Sequence, residues 1–475
     1  GAFKLLGVSK LSLYLPCILT SILTVFMIFI LARKLFGTRF GFAVAFIYSV
    51  LAWNIVFART GYRAVLSPLF VLLTFWFYYR TLDSKKWLSK FFNAAGCGLC
   101  AGIGLHTYFA FRGIYFMLII VGLHTFFTEF RRGRNDWREV FVDGIKRSWI
   151  PMVVLIFLLT AALPLIQYAV KSPENWDTFM GRQNTLFIGN DVKAAHSWRP
   201  LIENLKNSLL IFHYKAKVGN FFNNDWPIVS RPVSFFMIMG LAIFLRHINR
   251  RGPFFVVMVF LFGMLPSMLS KPDAARSLIA TIGAAAFAAA GATGVGRFLR
   301  SSALRKYAPL TIILMLLWMS AAEFNLYFVK SADDYLAQFG YARKHTLIGY
   351  EALSLGKDNT VYVSQGHFID TPKFLCFQLP NRDEVFSITD GEVIDVVAES
   401  RLIQNVNRIL NKEHPSGKGL AFVFEKDMKN EPLFDLVKKR YPVGKYKEYR
   451  DAHYDDSVIF YTYIIPKEIV NQHSF

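Results

Sequence analysis

The stretch Phe57-Ala58-Arg59-Thr60-Gly61-Tyr62-Arg63-Ala64-Val65-Leu66-Ser67-Pro68 decides how the rest of the chain is read. It sets Arg59 and Arg63 between apolar runs near 40–57 and 64–80. A helix needs ~17–25 apolar residues to cross the hydrocarbon core of a bilayer, and both runs are long enough. The dense basic charge of the chain lies in other connectors, on the side opposite this one. Cations kept on the poorer side need a partner, and an anionic lipid head group supplies one.

Outward from that stretch, about ten spans can be marked, near 12–32, 40–57, 64–80, 91–110, 114–130, 148–170, 233–246, 253–270, 277–296 and 308–328. Every second connector is basic: Arg33, Lys34 and Arg39; Arg80, Lys85, Lys86 and Lys90; the run from Arg131 to Arg147; Arg246, Arg250 and Arg251; and Arg297 to Lys306. The positive-inside rule puts those connectors in the cytoplasm. The connectors 58–63, 111–113, 171–232 and 271–276 then fall outside, as does everything after 328. A missed helix would break this alternation.

Composition agrees. The 475 residues are 54% hydrophobic and include 47 phenylalanines, which excludes an ordinary soluble domain. A net charge of +21 invites a nucleic-acid reading. The basic residues, however, sit between apolar runs and form no basic face, so no nucleic-acid partner is expected. Of the four cysteines, Cys97 and Cys100 have CxxC spacing within an apolar, glycine-rich span, where small residues serve close helix packing. Gly98 and Gly102 there make a GxxxG step.

Residues 1–330 are therefore expected to form a multi-span α-helical membrane domain with a long external loop, 171–232. Trp176, Trp198 and Trp226 suit that loop to the head-group level, and 199–213 suits a surface helix. Beyond 330 the composition turns soluble. Short β-rich runs at 360–364, 420–424 and 458–464 alternate with helical patterns at 333–354, 399–412 and 431–440. That pattern predicts a small C-terminal α/β domain, 331–475, on the extracytoplasmic side.

The short external connectors each carry an arginine: Arg59 and Arg63, then Arg112, then Arg276. The guanidinium fork matches a phosphate with two parallel hydrogen bonds, so these four are the candidate ligands of a lipid phosphate. Arg59 and Arg63 share a face only if Gly61 permits a helix. His106, Tyr108, Lys271, Asp273, Arg182 and Asn184 lie in the same external group as candidate contacts to a sugar or an acceptor. Glu323, an ionisable group within the last span, is a functional candidate by position. No pair of carboxylates suited to acid–base work appears in the short external connectors.

Several stretches carry a family likeness: Leu5-Leu6-Gly7-Val8-Ser9 running into Leu15-Pro16, the Arg59 stretch with Pro68, Gly104-Leu105-His106-Thr107-Tyr108 with Phe111-Arg112, and Pro272-Asp273-Ala274-Ala275-Arg276-Ser277. They resemble the polyprenyl-phosphate-sugar glycosyltransferases of the glycosyltransferase C superfamily, in the branch of protein O-mannosyltransferases and lipid A aminoarabinose transferases. Ala58 stands where the family's Ser-Arg segment has serine. The likeness covers about 1–330. It implies a multi-pass enzyme of the plasma (inner) membrane that moves a sugar from a polyprenyl-phosphate donor to a hydroxyl of a protein, lipid or glycan outside. It also implies that the catalytic acidic residue lies in a first external loop upstream of Gly1. It leaves the cofactor open between none and a divalent cation. The rival readings are a lipid or glycolipid transporter, for which no internal repeat is visible, and a non-catalytic membrane scaffold.

Overall fold

The computed structural model describes residues 2–7, 9–131, 148–185, 187–217, 223–224, 226–270, 272–300, 305–333, 343–364, 385–387, 406–407, 409–410, 418–426, 431–452 and 456–472. They form two compact units, one of 14–331 and one of 1–13 with 332–475.

The first unit is a bundle built from α1 (Lys10–Phe36), α2 (Thr38–Val50), α3 (Ala52–Ala58), α4 (Leu66–Asp83), α5 (Trp87–Gly104), α6 (Ile114–Arg131) and α7 (Trp149–Lys171). The connector that follows holds α8 (Pro173–Thr185), α9 (Ile188–Ala194) and α10 (Arg199–Leu210). The bundle then resumes with α11 (Arg231–Arg246), α12 (Arg251–Met268), α13 (Ala280–Arg300) and α14 (Ala308–Asn325). Among the described residues, seven helices are long and apolar enough to cross a membrane, or eight counting one bent pair. Helices α5 and α11 fill the fourth and seventh expected spans but fall outside that set. At 16 residues, α11 rises only ~24 Å, short of the ~30 Å hydrocarbon core. Ser89, Lys90 and Asn93 dilute the apolarity of α5.

The bent pair is α2 and α3, which turn by 62° at Leu51. Leu51 takes φ −58° and ψ 122°, outside the helical region. Asn54 spans the break by donating Nδ2–H to the carbonyl of Tyr48 at 2.8 Å. The freed amide of Ala52 donates to Glu323 Oε2 on α14, also at 2.8 Å. Glu323 Oε1 accepts the amide of Ser230, the N-cap of α11, at 2.6 Å. One buried carboxylate thus satisfies amides at the start of two helices, where donors lack intrahelical partners and the helix dipole favours negative charge.

Small residues set the other close approaches. A Cβ on Gly98 or Gly102 would meet the carbonyl oxygens of Val154 or Leu158 at 2.2 and 2.5 Å, so the GxxxG step seats α5 against the backbone of α7. Helix α13 is the inner helix, buried without interruption from Ala280 to Ala292.

The second unit carries a five-stranded mixed sheet: β1 (Asn359–Ser364), β2 (Val385–Ser387), β3 (Gly419–Glu425), β4 (Lys445–Arg450) and β5 (Val458–Ile465), in the order β2-β1-β3-β5-β4. β1 is parallel to β2 and β3, and β5 is antiparallel to β3 and β4. The central strand β3 is buried on both faces. Phe422 and Phe424 meet Leu433 and Val437 of α16 (Glu431–Arg440). Ala421 and Val423 meet the side of Ile348 and Ala352 of α15 (Arg343–Leu355). The runs expected at 360–364, 420–424 and 458–464 are strands, and 431–440 is a helix. The helical pattern at 399–412 lies mostly outside the described residues, as does the start of the one at 333–354. The sequence reading passed over β4, whose Lys-Tyr-Lys-Glu-Tyr-Arg run is almost wholly exposed and belongs to an edge strand.

Candidate functional site

The Arg59 stretch is not one helix. Helix α3 ends at Ala58, Gly61 turns the chain at φ +67°, and a 3-10 turn, Arg63–Val65, leads into α4. The left-handed backbone at Gly61 suits glycine, and it takes Arg59 and Arg63 off any common helical face. Both side chains are exposed. Arg59 Nη1 donates to the Tyr327 hydroxyl at 3.2 Å, and its guanidinium stands 5.9 Å from that ring. Tyr327 lies in a π-helical turn, Leu326–Lys330, that continues α14. Such widened turns recur at functional sites.

The connector before α13 folds around Asp273. Its Oδ1 accepts the amides of Ala275 at 2.8 Å and Arg276 at 3.2 Å, a carboxylate-capped turn. Arg276 Nη1 donates to Ser270 Oγ at 2.6 Å. Trp53 of α3, fully buried, donates its indole N–H to the Ala274 carbonyl at 3.1 Å. Asn204 of α10 donates Nδ2–H toward the carbonyls of Ser267, Met268 and Ser270 at 3.1, 2.6 and 2.6 Å. The Arg276 turn is therefore held from α3 on one side and from α10 on the other.

Tyr108 joins this group. Its ring meets Tyr62 edge-on at 5.7 Å, its hydroxyl is hydrogen-bonded to Tyr62, and the charges of Asp273 and Arg276 both act on it. Three separate connectors thus bring Tyr62, Tyr108, Asp273 and Arg276 into one neighbourhood. Thr107, beside Tyr108, shares a 3.0 Å hydrogen bond with Ser67 at the head of α4.

Arg112 and His106 are held by other partners. Arg112 lies over the rings of Phe109 and Trp176, at 4.5 and 5.7 Å, with Nη1 3.7 Å from Met180 Sδ. It thereby anchors α8 of the long connector. His106 Nε2 bonds the Ala161 carbonyl of α7 at 3.0 Å, as a polar group satisfied at a helix end. Arg182 and Asn184 fall within α8, but their side chains, like the whole of Lys271, lie outside the described residues. Among the described residues, no three His, Cys, Asp or Glu side chains come together as a metal site would require.

Sequence reasoning missed Tyr62, Trp53 and Tyr327. Tyr62 stood within the quoted stretch, and an aromatic between two arginines was the available signal. Trp53 looked like one more apolar residue of a span, and nothing near Tyr327 announces a π-turn.

Fold and connectors together define a polytopic α-helical membrane protein with a glycosyltransferase C-like fold and a small C-terminal α/β unit. Residues 1–166 match the family described as dolichyl-phosphate-mannose-protein mannosyltransferase, a range that includes Arg59, Tyr62, Arg63, Tyr108 and Arg112. The structure is similar to ArnT from Cupriavidus metallidurans bound to undecaprenyl phosphate, with a TM-score of 0.58 and 11% identity over 98% of this chain and 85% of that one. The same protein in its apo state gives 0.57 and 11%, over 98% and 86%. At 11% identity the likeness is one of fold. No curated protein matches the chain by sequence.

Proposed function

We propose that this protein transfers a sugar from a polyprenyl phosphate to the hydroxyl of an acceptor on the extracytoplasmic side of the plasma membrane. The observation that carries the reading is the convergence of Arg276, Tyr108, Tyr62 and Asp273 from three connectors at one end of the bundle. The match of 1–166 to a dolichyl-phosphate-mannose-dependent family and the undecaprenyl phosphate bound by ArnT support a lipid-phosphate donor.

In this reading the bond between the anomeric carbon and the phosphate oxygen breaks, and its electron pair leaves with the phosphate. The acceptor oxygen bonds to the anomeric carbon and gives its proton to a base. Arg276, with Arg59 and Arg63, stabilises the charge that grows on the leaving phosphate. Donors fixed in place before reaction act most strongly on such developing charge. Arg112 ties the long connector down beside the site, and Tyr108 and Asp273 face the sugar or acceptor.

The test is sugar transfer from a polyprenyl-phosphate donor in proteoliposomes. Arg276→Ala and Arg59→Ala should each slow it on the order of 10²–10³-fold, with lysine restoring only part, since an ammonium lacks the fork. Arg199, paired with Glu203 at 2.8 Å on the exposed side of α10, is the control. Equal, near-normal turnover in Arg276→Ala, Arg59→Ala and Arg199→Ala would overturn the reading.

A further inference from the structure

A cavity at the other end of the bundle has no part in that reaction. It measures about 1530 Å³ and opens among the α1–α2 turn, the end of α4, the α11–α12 turn, the end of α13 and the start of α14. None of the arginines assigned to the donor phosphate lines it. Its charged lining is six basic side chains, Lys34, Arg39, Arg250, Arg251, Arg297 and Arg300, against one acidic one, Asp83. Lys34 forms an ion pair with Asp83, and Arg251 Nη1 stands 3.7 Å from the same carboxylate. That leaves Arg39, Arg250, Arg297 and Arg300 in excess, all of them exposed. The rest of the lining is apolar and reaches along the helices through Phe42, Phe46, Ile312, Ile313 and Leu316. Phe42 and Ile313 keep 62% and 53% of their surface open, so among the described residues this wall is left uncovered.

We propose that this cavity binds an anionic phospholipid from the leaflet on the basic side. The headgroup phosphate sits among Arg250, Arg297 and Arg300, and an acyl chain lies along Phe42, Phe46 and Ile313. Basic pockets between transmembrane helices suit anionic headgroups. A soluble anion would use the arginines but gain nothing from the apolar wall. A zwitterionic lipid would use the wall but carry no net charge for the arginine excess. The two halves together select a lipid with a negative head.

The complete protein in detergent is titrated with phosphatidylglycerol, phosphatidylcholine and inorganic phosphate, with binding read by native mass spectrometry. Phosphatidylglycerol should be retained, phosphatidylcholine should not, and phosphate should compete only weakly. Arg250→Gln with Arg297→Gln should weaken phosphatidylglycerol on the order of 30-fold, from the attraction each basic residue near a membrane surface provides. Ile313→Asp, which leaves every arginine in place, should weaken it as well, and Arg276→Ala should not. Equal retention of the two lipids, indifference to both kinds of variant, or displacement by phosphate alone would overturn the proposal. So would displacement of phosphatidylglycerol by equimolar undecaprenyl phosphate, since the cavity would then belong to the sugar carrier.

Discussion

Glu323 and Ala52, 271 residues apart in sequence, are joined by a 2.8 Å hydrogen bond from the first amide of α3 to the carboxylate Oε2. The other oxygen, Oε1, holds Ser230 at the head of α11. An acidic side chain deep in the last span thus serves the bend that aims α3, and with it Arg59, at the far end of the bundle.

Removing that carboxylate should be costly. Glu323→Ala leaves two buried amides without an acceptor, at ~1–3 kcal/mol each. Glu323→Gln keeps one acceptor oxygen and should fall between alanine and the parent. The measurement is thermal unfolding in detergent beside polyprenyl-phosphate binding. A melting temperature for Glu323→Ala equal to that of the parent would show that the carboxylate does not brace the bend.

Trp53→Phe keeps most of the buried ring and loses only the indole N–H that donates to Ala274. The Ala274 carbonyl is left without that donor, a loss of about 1 kcal/mol by the usual worth of such a bond. Because the bond steadies the turn that carries Arg276, donor affinity should drop more than stability does. Titration with a polyprenyl phosphate and a melting curve separate the two. An unchanged affinity would mean that the turn is held from α10 alone.

Gly98→Ala places a methyl 2.2 Å from the Val154 carbonyl, so α5 and α7 must move apart. Gly122, in α6, has nothing within 4 Å of where a Cβ would stand. Gly122→Ala should therefore be neutral or stabilising by up to about 1 kcal/mol, while Gly98→Ala lowers the melting temperature. Identical melting temperatures would refute the close approach.

Cysteines placed at Thr60, Gly113 and Pro272 should react with an impermeant maleimide from one face of the membrane, and cysteines at Lys85 and Asn249 from the other. Lys85 and Asn249 lie in two of the five Lys/Arg-rich connectors, which set the orientation. Labelling of Thr60→Cys and Lys85→Cys from the same face would break the alternation.

Most of the bundle was legible because charge and apolarity are local properties. Basic connectors mark span ends without reference to any partner, and strands such as Gly419–Glu425 announce themselves as continuous apolar runs. The bend at Leu51 was not legible. Its residues are as apolar as those around it, and the carboxylate that accepts the freed amide arrives with the last span. Glu323 could be flagged as an ionisable group within that span, but its two amide partners are fixed only by the fold. The candidate site divides in the same way. Its arginines stood out as charges on the sparse side, whereas Arg112's aromatic seat and Tyr327's contact with Arg59 depend on distant segments.

The 271 residues between Ala52 and Glu323 also separate two moments in the birth of the protein. At ~5–20 residues per second of synthesis, roughly 15–55 s pass between the emergence of the bend and of the group that completes it. Until α14 enters the membrane, the Ala52 amide has no Glu323 to hold it. A ribosome that stops short of α14 leaves the bend at Leu51 without that acceptor, so the order of insertion sets when the bend is completed.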